Sequence, residues 1–172
     1  MINLEQFTKD DFSCLISWVD NEETLIQFAG TIFSFPLTHQ QPEIYLVDKN
    51  RNAYKVVNAE DRTTVVHAEI YTLHDGVARL CRIIIGNPEF RGREIGQKIV
   101  NELLDISFNN CGAASASLNV FDWNIPAIRC YEKSGFVLNK DNTKTTIVKD
   151  KVWTSVNMKI TKIAWEKLQR QA

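Results

Sequence analysis

The chain has 172 residues and a net charge of −1, and 44% of its residues are hydrophobic. This length and composition predict one globular domain, and we expect residues 1–172 to form it. Because the sequence has no long basic run, it argues against a surface that binds nucleic acid or membrane lipids. The four cysteines form no C-x-x-C pair and have no histidines at ligand spacing, so we expect free thiols and no metal site.

The start of the chain, MINLEQFTKDD, lacks the basic and then apolar pattern of a signal peptide. No apolar run in the sequence approaches the ~20 residues that a membrane-spanning helix needs. Together with the free thiols, these features predict a cytoplasmic protein.

The first third of the chain predicts helices. Apolar residues recur at helical spacing from Thr8 to Asp20, and Thr8 is a suitable N-cap for that helix. A second helix is predicted from Thr38 to Val47. The intervening segment 21–36 is aromatic but irregular, and we assign it no element.

The middle of the chain is dominated by strand patterns, at Tyr54–Val57, Thr63–Leu73 and Val77–Ile85. The dipeptide Asp75-Gly76 predicts a tight hairpin between the last two strands. If these two residues form the turn, Glu69 faces Arg82 across the ladder. Their opposite charges would attract, which favours this register.

The second half of the chain alternates between helical and strand patterns. A helix is predicted within Gly92–Asn109, where apolar residues again recur at helical spacing. The remaining elements are strands at Ala114–Phe121, Phe136–Leu138 and Trp153–Ile160, with helices at Pro126–Ser134 and Ala164–Arg170. This order predicts an α/β fold in which helices cover a mixed sheet.

The segment from Ile83 to Gly96 joins a buried strand to the start of a helix. The backbone N–H groups at a helix N-terminus are unpaired, and they attract phosphate groups. Gly92 and Gly96 would let the backbone approach a pyrophosphate closely, and Arg91 and Arg93 add positive charge. Taken alone, this segment fits a structural loop equally well.

A second segment of interest begins at Asn124, which follows a strand and is a natural helix cap. Ala127 and Tyr131 are four residues apart, so they share one face of the predicted helix. The hydroxyl of Tyr131 is then a candidate proton donor in a cleft. The alternative is that Tyr131 only packs against the sheet.

The two segments together resemble the GCN5-related N-acetyltransferase (GNAT) superfamily, in the branch similar to ribosomal-protein N-terminal acetyltransferases. The first signature, R-G-x-G-x-G/A, stands here as RGREIG from Arg91 to Gly96. The second, N-x-x-A-x-x-x-Y-x-x-x-G-F, is matched at every fixed position from Asn124 to Phe136. Glu94 departs from the first signature, which usually has glycine there. A carboxylate at this place repels a pyrophosphate unless its side chain turns to solvent.

The resemblance implies a mostly antiparallel, V-shaped central sheet flanked by helices, with acetyl-CoA as co-substrate and no metal. The strand Val77–Ile85 would offer backbone groups to the pantetheine arm, and the loop Arg91–Gly96 would hold the pyrophosphate. Asn124 would contact the coenzyme near its thioester, and Tyr131 would protonate the departing thiolate. The implied coenzyme-binding residues are Ile83, Ile84, Ile85, Arg91, Gly92, Arg93, Glu94, Ile95, Gly96, Asn124, Ala127 and Tyr131.

Amine acetylation also requires a base that removes a proton from the ammonium group. Glu69 is the main candidate, because it is predicted beside the coenzyme strand and matches a glutamate common in the resembling proteins. The alternative is that Glu69 and Arg82 form a cross-strand pair that only stabilises the sheet. For the acceptor pocket the candidates are Trp18, Phe33, Trp123 and Glu69. Aromatic residues of this kind are more often part of the core, except Trp123, which follows a predicted strand and precedes Asn124.

The sequence therefore predicts an N-acetyltransferase that moves an acetyl group from acetyl-CoA to a primary amine, by direct attack within a ternary complex. The acceptor would be a small molecule or a peptide, and a homodimer is compatible with the sequence. The second hypothesis is a catalytically silent acyl-CoA-binding sensor, which would need the phosphate loop but not Tyr131.

Overall fold

The computed structural model describes residues 2–73, 75–92 and 95–171. The strands are β1 (Ile2–Gln6), β2 (Arg51–Asn58), β3 (Thr64–Thr72), β4 (Val77–Ile85), β5 (Ser115–Phe121), β6 (Val137–Val148) and β7 (Lys151–Thr161). They form one sheet in the order β1-β2-β3-β4-β5-β7-β6. β4 and β5 pair in parallel, whereas β1–β2, β2–β3, β5–β7 and β6–β7 pair antiparallel. The prediction of a mixed, mostly antiparallel sheet is confirmed.

The helices that flank this sheet are α1 (Phe12–Ser17), α2 (Glu22–Ala29), α3 (Gln40–Tyr45), α4 (Ile95–Asp105), α5 (Ile125–Lys133) and α6 (Lys162–Gln169). A short 3₁₀ turn precedes α1, and there the backbone N–H of Thr8 donates to the carboxylate of Asp11 at 2.9 Å. Thr8 therefore stands at the N-cap of this turn, as predicted, but the helix predicted to reach Asp20 ends with α1 at Ser17. Within the described ranges, no helix is both long and apolar enough to span a membrane.

Two elements were absent from the sequence prediction. The assignment of segment 21–36 as irregular was wrong, because α2 begins there with Asn21 as its cap. The Asn21 side chain accepts the N–H of Thr24 at 2.8 Å, and Leu25 and Phe28 are buried on one face. The strand β1 was missed because it is short and half polar. Its pairing with β2 defines it instead.

The hairpin between β3 and β4 differs from the predicted two-residue turn. The N–H of Leu73 donates to the carbonyl of Val77 at 2.9 Å. Because β3 ends at Thr72 and β4 begins at Val77, the connection is longer than the two residues predicted. An uninterrupted ladder from the Leu73–Val77 pair would set Ile85 opposite Val65. Instead, the N–H of Gly86 donates to Val65 at 2.9 Å, which means that β4 contains one extra residue.

The chain divides into two compact units, the first comprising Met1–Tyr71 with Cys81–Arg93. The core of this unit is built from side chains of α1, α2 and β2 and of the segments around them. It includes Phe7, Phe12, Leu15, Val19, Leu25, Phe28, Phe33, Leu37 and Ala53. The partly buried side chains of Trp18, Tyr45 and Ile84 pack against it.

The second unit comprises Thr72–Leu80 with Glu94–Ala172. The apolar face of α4 is buried here, through Ile99, Leu103 and Leu104, as its helical spacing predicts. Further along, the ring of Phe108 lies 5.2 Å from that of Trp165 on α6. The central strands β5 and β7 contribute further buried residues, among them Ala116, Leu118, Met158 and Ile160.

A buried amide network links three strands of the second unit. Asn157 on β7 is 3% exposed. Its Nδ2 donates to the carbonyl of Leu118 at 2.9 Å and to Oδ1 of Asn119 at 2.8 Å. Its Oδ1 accepts from Nδ2 of Asn139 on β6 at 3.2 Å. Both polar ends of this side chain are therefore satisfied, as a buried amide requires.

The first prediction concerns this network. Asn157→Asp keeps the shape of the side chain but replaces the donating NH₂ group with an oxygen. The carbonyl of Leu118 and Oδ1 of Asn119 would then face a carboxylate oxygen with no hydrogen between them. We expect the free energy of unfolding to fall by about 3 kcal/mol, measured by urea denaturation at pH 7. The matched control is Asn119→Asp, because an oxygen at this position still accepts from Nδ2 of Asn157. Its free energy of unfolding should fall only slightly. Equal losses for the two variants would contradict the role given to Asn157.

Candidate functional site

Glu69 on β3 lies at the centre of a buried polar cluster in the first unit, and it is 1% exposed. One of its oxygens, Oε2, accepts from the hydroxyl of Tyr45 at 2.8 Å and from Nη1 of Arg51 at 2.9 Å. The other, Oε1, lies 3.0 Å from Nε2 of His67. Arg82 completes the cluster, with its Nε 3.7 Å from Oε2.

The two guanidinium groups of this cluster also stack on Tyr45. The Cζ atom of Arg51 lies 3.4 Å from the ring centroid, and that of Arg82 lies 4.7 Å from it. The His67 ring contacts the apolar core, with its centroid 4.3 Å from that of Phe7 in an edge-to-face arrangement. The cluster therefore joins charged side chains to the hydrophobic core of its unit.

The electrostatics of the cluster favour an ionised carboxylate. Burial alone would raise the pKa of Glu69, but the hydrogen bond from His67 and the positive charge of Arg82 outweigh it and hold that pKa below its ordinary value. Burial and the negative charge of Glu69 raise the pKa of Tyr45, so the phenol keeps the proton that it donates. A lowered carboxyl pKa stabilises the fold at neutral pH, and this contribution is lost as the pH falls through the folded-state pKa.

Sequence reasoning found Glu69 and Arg82 but missed Tyr45, Arg51 and His67. A local signal existed only for His67, which is two residues from Glu69 and so lies on the same face of β3. The part of the chain that the structure describes contains no group of three or more His, Cys, Asp or Glu side chains able to hold a metal ion.

The aromatic candidates of the first unit lie in two different environments. Phe33 is 9% exposed and its ring lies 4.9 Å from that of Tyr45, so it is part of the core. Trp18 is half-buried and packs against Gly86, directly after β4. A Cβ atom at position 86 would overlap the Trp18 indole ring, so only glycine fits there without a shift.

The loop that follows β4 has its own local structure. Asn87 caps a short 3₁₀ turn, Pro88–Phe90, by accepting the N–H of Glu89 at 3.0 Å. The guanidinium of Arg91 then folds back onto the carbonyl of Ile85, at 3.2 Å from Nε and 3.0 Å from Nη2. Gly92 has a φ of +74°, and a Cβ built there would meet nothing within 4 Å.

The other residues predicted around this loop lie on its two sides. Ile83, Ile84 and Ile85 are half-buried in the second half of β4. Ile95 and Gly96 form the first residues of α4 in the second unit, and both are half-buried. The predicted coenzyme residues Arg93 and Glu94 lie outside the described residues.

The asparagine–tyrosine segment forms α5 in the second unit. The Asn124 side chain accepts the N–H of Ala127 at 3.4 Å, and the Asn124 carbonyl accepts the N–H of Ile128 at 3.1 Å. Tyr131 follows one turn after Ala127, and its ring lies 6.1 Å from that of Phe136. Burial, with a smaller effect of Cys130, raises the pKa of Tyr131, so its hydroxyl stays protonated at neutral pH.

Three aromatic rings cluster where β5 ends. Trp123 stacks on Phe121, with centroids 5.7 Å apart and planes 6° apart, and it meets Trp153 edge-to-face at 5.0 Å. Trp123 is nevertheless 45% exposed. This residue is therefore held in place by its neighbours while one part of its indole remains open to solvent.

These segments coincide with those of a known family. Residues 4–136 match the model of the acetyltransferase (GNAT) family. The chain belongs to this family. This GNAT protein is accordingly an N-acetyltransferase that uses acetyl-CoA.

Two solved structures of acetyltransferases share the fold of this GNAT enzyme. One is aminoglycoside acetyltransferase AAC(6')-Ib in complex with coenzyme A and kanamycin, which is 22% identical in sequence and superposes with a TM-score of 0.75. The match covers 98% of this chain and 99% of the aminoglycoside acetyltransferase chain. Spermidine N-acetyltransferase from Vibrio cholerae, in complex with CoA and spermine, is 18% identical with a TM-score of 0.80, covering 96% and 98%.

The second prediction tests the contact between Trp18 and Gly86. Gly86→Ala should lower the free energy of unfolding by about 1–3 kcal/mol, because the new methyl group overlaps the indole ring. In a Trp18→Leu background the same substitution should cost less, since the smaller side chain leaves room. Urea denaturation of the four proteins measures both losses. Equal losses in the two backgrounds would show that the indole is not what restricts position 86.

Proposed function

We propose that this enzyme acetylates a primary amine of a small molecule by direct attack on acetyl-CoA, with Tyr131 as the acid. The observation that carries the proposal is the place of Tyr131 on α5, one turn after Ala127 in a helix that begins at the Asn124 cap. A phenol that holds its proton at neutral pH can donate it to a departing thiolate. The cap at Asn124 fixes the start of the helix that carries this hydroxyl.

The residues around the first signature fit the phosphates of coenzyme A. Gly92 is exposed with open space where a side chain would stand, so an anion can approach its backbone. The helix α4 begins at Ile95, and the backbone N–H groups of a first helical turn favour phosphate. The guanidinium of Arg91, exposed beside Gly92, supplies a positive charge. We propose that the loop from Arg91 to Gly96, including Arg93 and Glu94, binds the pyrophosphate.

Acetyl-CoA supplies an acyl group on a thioester, whose thiolate leaves with moderate ease. In this proposal the backbone of Ile83, Ile84 and Ile85 aligns the pantetheine arm, and Asn124 and Ala127 bind near the thioester. The hydroxyl of Tyr131 gives its proton to the thiolate sulfur. Holding the amine beside the acyl carbon supplies much of the remaining rate.

For the acceptor we propose a small molecule carrying a primary amine. The two structural relatives were solved with kanamycin and with spermine, which both carry several amines. Trp123 is the aromatic candidate that we assign to the acceptor site, because it is 45% exposed yet fixed by its neighbours. The half-buried Trp18 is a second candidate, whereas the burial of Phe33 favours its alternative role in the core.

Other expectations remain proposals about this enzyme. They are a single domain over residues 1–172, a cytoplasmic location, a possible homodimer and no contact with nucleic acid. The narrower resemblance to ribosomal-protein N-terminal acetyltransferases is not supported. The similar structures are named as an aminoglycoside acetyltransferase and a spermidine N-acetyltransferase. A catalytically silent sensor is the competing function, and turnover of any amine would exclude it.

The third prediction tests the coenzyme site. Gly92→Val places a branched side chain where the phosphates would approach, so we expect the Kd for acetyl-CoA to rise by roughly tenfold or more in calorimetry. The control is Gly112→Val, since Gly112 has a similar φ of +67° and equally open surroundings. Both variants carry the same backbone strain, but only the first should lose affinity. Equal affinities would place the phosphates elsewhere.

The fourth prediction tests Tyr131 itself. Tyr131→Phe removes the hydroxyl and keeps the ring, so we expect kcat and kcat/KM to fall together by roughly 10–100-fold. The Kd for acetyl-CoA should stay near the wild-type value. Tyr71→Phe serves as the control, and its turnover should change little. Wild-type turnover in Tyr131→Phe would make Tyr131 a packing residue, and a matching loss of coenzyme affinity would make it a binding residue.

A further inference from the structure

The backbone of β4 is irregular at Arg82. Its φ is 51°, in the left-handed region that residues with a side chain rarely adopt. The hydrogen bonds at the two ends of the hairpin show one extra residue in β4, between Val77 and Gly86. Arg82 lies between these two positions, so its conformation marks a β-bulge. A bulge changes the direction of the residues that follow, here Ile83, Ile84 and Ile85.

A strained backbone persists only where its surroundings hold it. The Arg82 side chain is 10% exposed, and its Nε lies 3.7 Å from Oε2 of Glu69. Its Cζ atom lies over the Tyr45 ring at 4.7 Å from the centroid. Together with a hydrogen bond to Cys81, this ion pair and this ring contact hold Arg82 from within its own unit. The negative charge of Glu69 therefore acts on Arg82, the residue of β4 that has a positive φ.

The same geometry bears on the role of Glu69. Its oxygens are engaged by groups from three other positions, Tyr45 on α3, Arg51 on β2 and His67 on β3. The carboxylate is 1% exposed, and its pKa is held below the ordinary value. A general base works best with a pKa near the working pH and with access to the proton that it removes. Glu69 meets neither requirement in this arrangement.

We propose that Glu69 is a positioning residue, which holds Arg82 in the β4 bulge and thereby sets the backbone of Ile83–Ile85. The inference rests on the proposed function, in which that backbone aligns the pantetheine arm. Glu69 then acts on coenzyme binding through Arg82, and it takes no proton from the amine. The Glu69 carboxylate is fixed in the position where it contacts Arg82 by its other partners, Tyr45, Arg51 and His67.

A pair of substitutions at position 82 tests the proposal. Arg82→Ala and Arg82→Gly both remove the guanidinium, but glycine adopts a φ of 51° without strain and alanine does not. We expect Arg82→Ala to raise the Kd for acetyl-CoA by roughly 3- to 10-fold, about the worth of one backbone hydrogen bond. Arg82→Gly should bind acetyl-CoA more tightly than Arg82→Ala. Equal Kd values for the two variants, measured by calorimetry, would overturn the proposal.

Substitution of Glu69 gives an independent measurement. Glu69→Gln keeps the shape of the side chain and removes its charge. We expect a higher KM for acetyl-CoA, a kcat within a few-fold of wild type, and an unchanged acidic limb in the pH profile of kcat. Adding Arg82→Gly to Glu69→Gln should restore part of the coenzyme affinity. Loss of the acidic limb, with a wild-type Kd for acetyl-CoA, would make Glu69 the base and overturn the proposal.

The controls separate this inference from the proposed function. If Glu69→Gln does not fold, judged by circular dichroism and thermal melting, the Arg82 pair decides the question alone. If wild-type protein does not bind acetyl-CoA, or Gly92→Val binds it normally, the proposed coenzyme site is wrong. If those two results are as expected but the Arg82 variants bind equally, only the positioning role of Glu69 is wrong.

Discussion

The burial of one carboxylate, that of Glu69, is the constraint on which the first unit depends. Moving an ionised carboxylate out of water costs several kcal/mol, and this cost is offset only by close charges and hydrogen bonds. Those contacts come from Tyr45 on α3, Arg51 on β2 and Arg82 on β4, besides His67 on the same strand. Because each contact requires its own element to be in register, the carboxylate couples a helix to three strands.

The second unit is organised by neutral hydrogen bonds instead. Asn157 joins β7 to β5 and β6 through its amide, whose two ends are both hydrogen-bonded within the unit. The helix that follows β5 is fixed in the same way, by the cap at Asn124. A neutral network costs less to bury than a charge.

The two units also differ in where their strands and helices leave backbone groups unpaired. In the first unit, β4 has a bulge at Arg82, and the loop that follows the strand has open space at Gly92. In the second, the amphipathic helix α4 and the capped helix α5 present their first turns. Unpaired backbone groups are found at such places, namely bulges and helix N-termini.

Features that depend on local patterns could be predicted from the sequence alone. The strand Val77–Ile85 and the helix near Pro126–Ser134 were predicted almost to the residue, because alternation, capping and Gly135 are local signals. The helix α2 was missed, since segment 21–36 was interpreted as irregular and aromatic although Asn21 is a suitable cap. Only the tertiary structure showed that Glu69 binds Tyr45 and Arg51 and that β4 bulges at Arg82. These contacts join positions far apart in the chain, and their energy comes from burial and charge that no local pattern encodes.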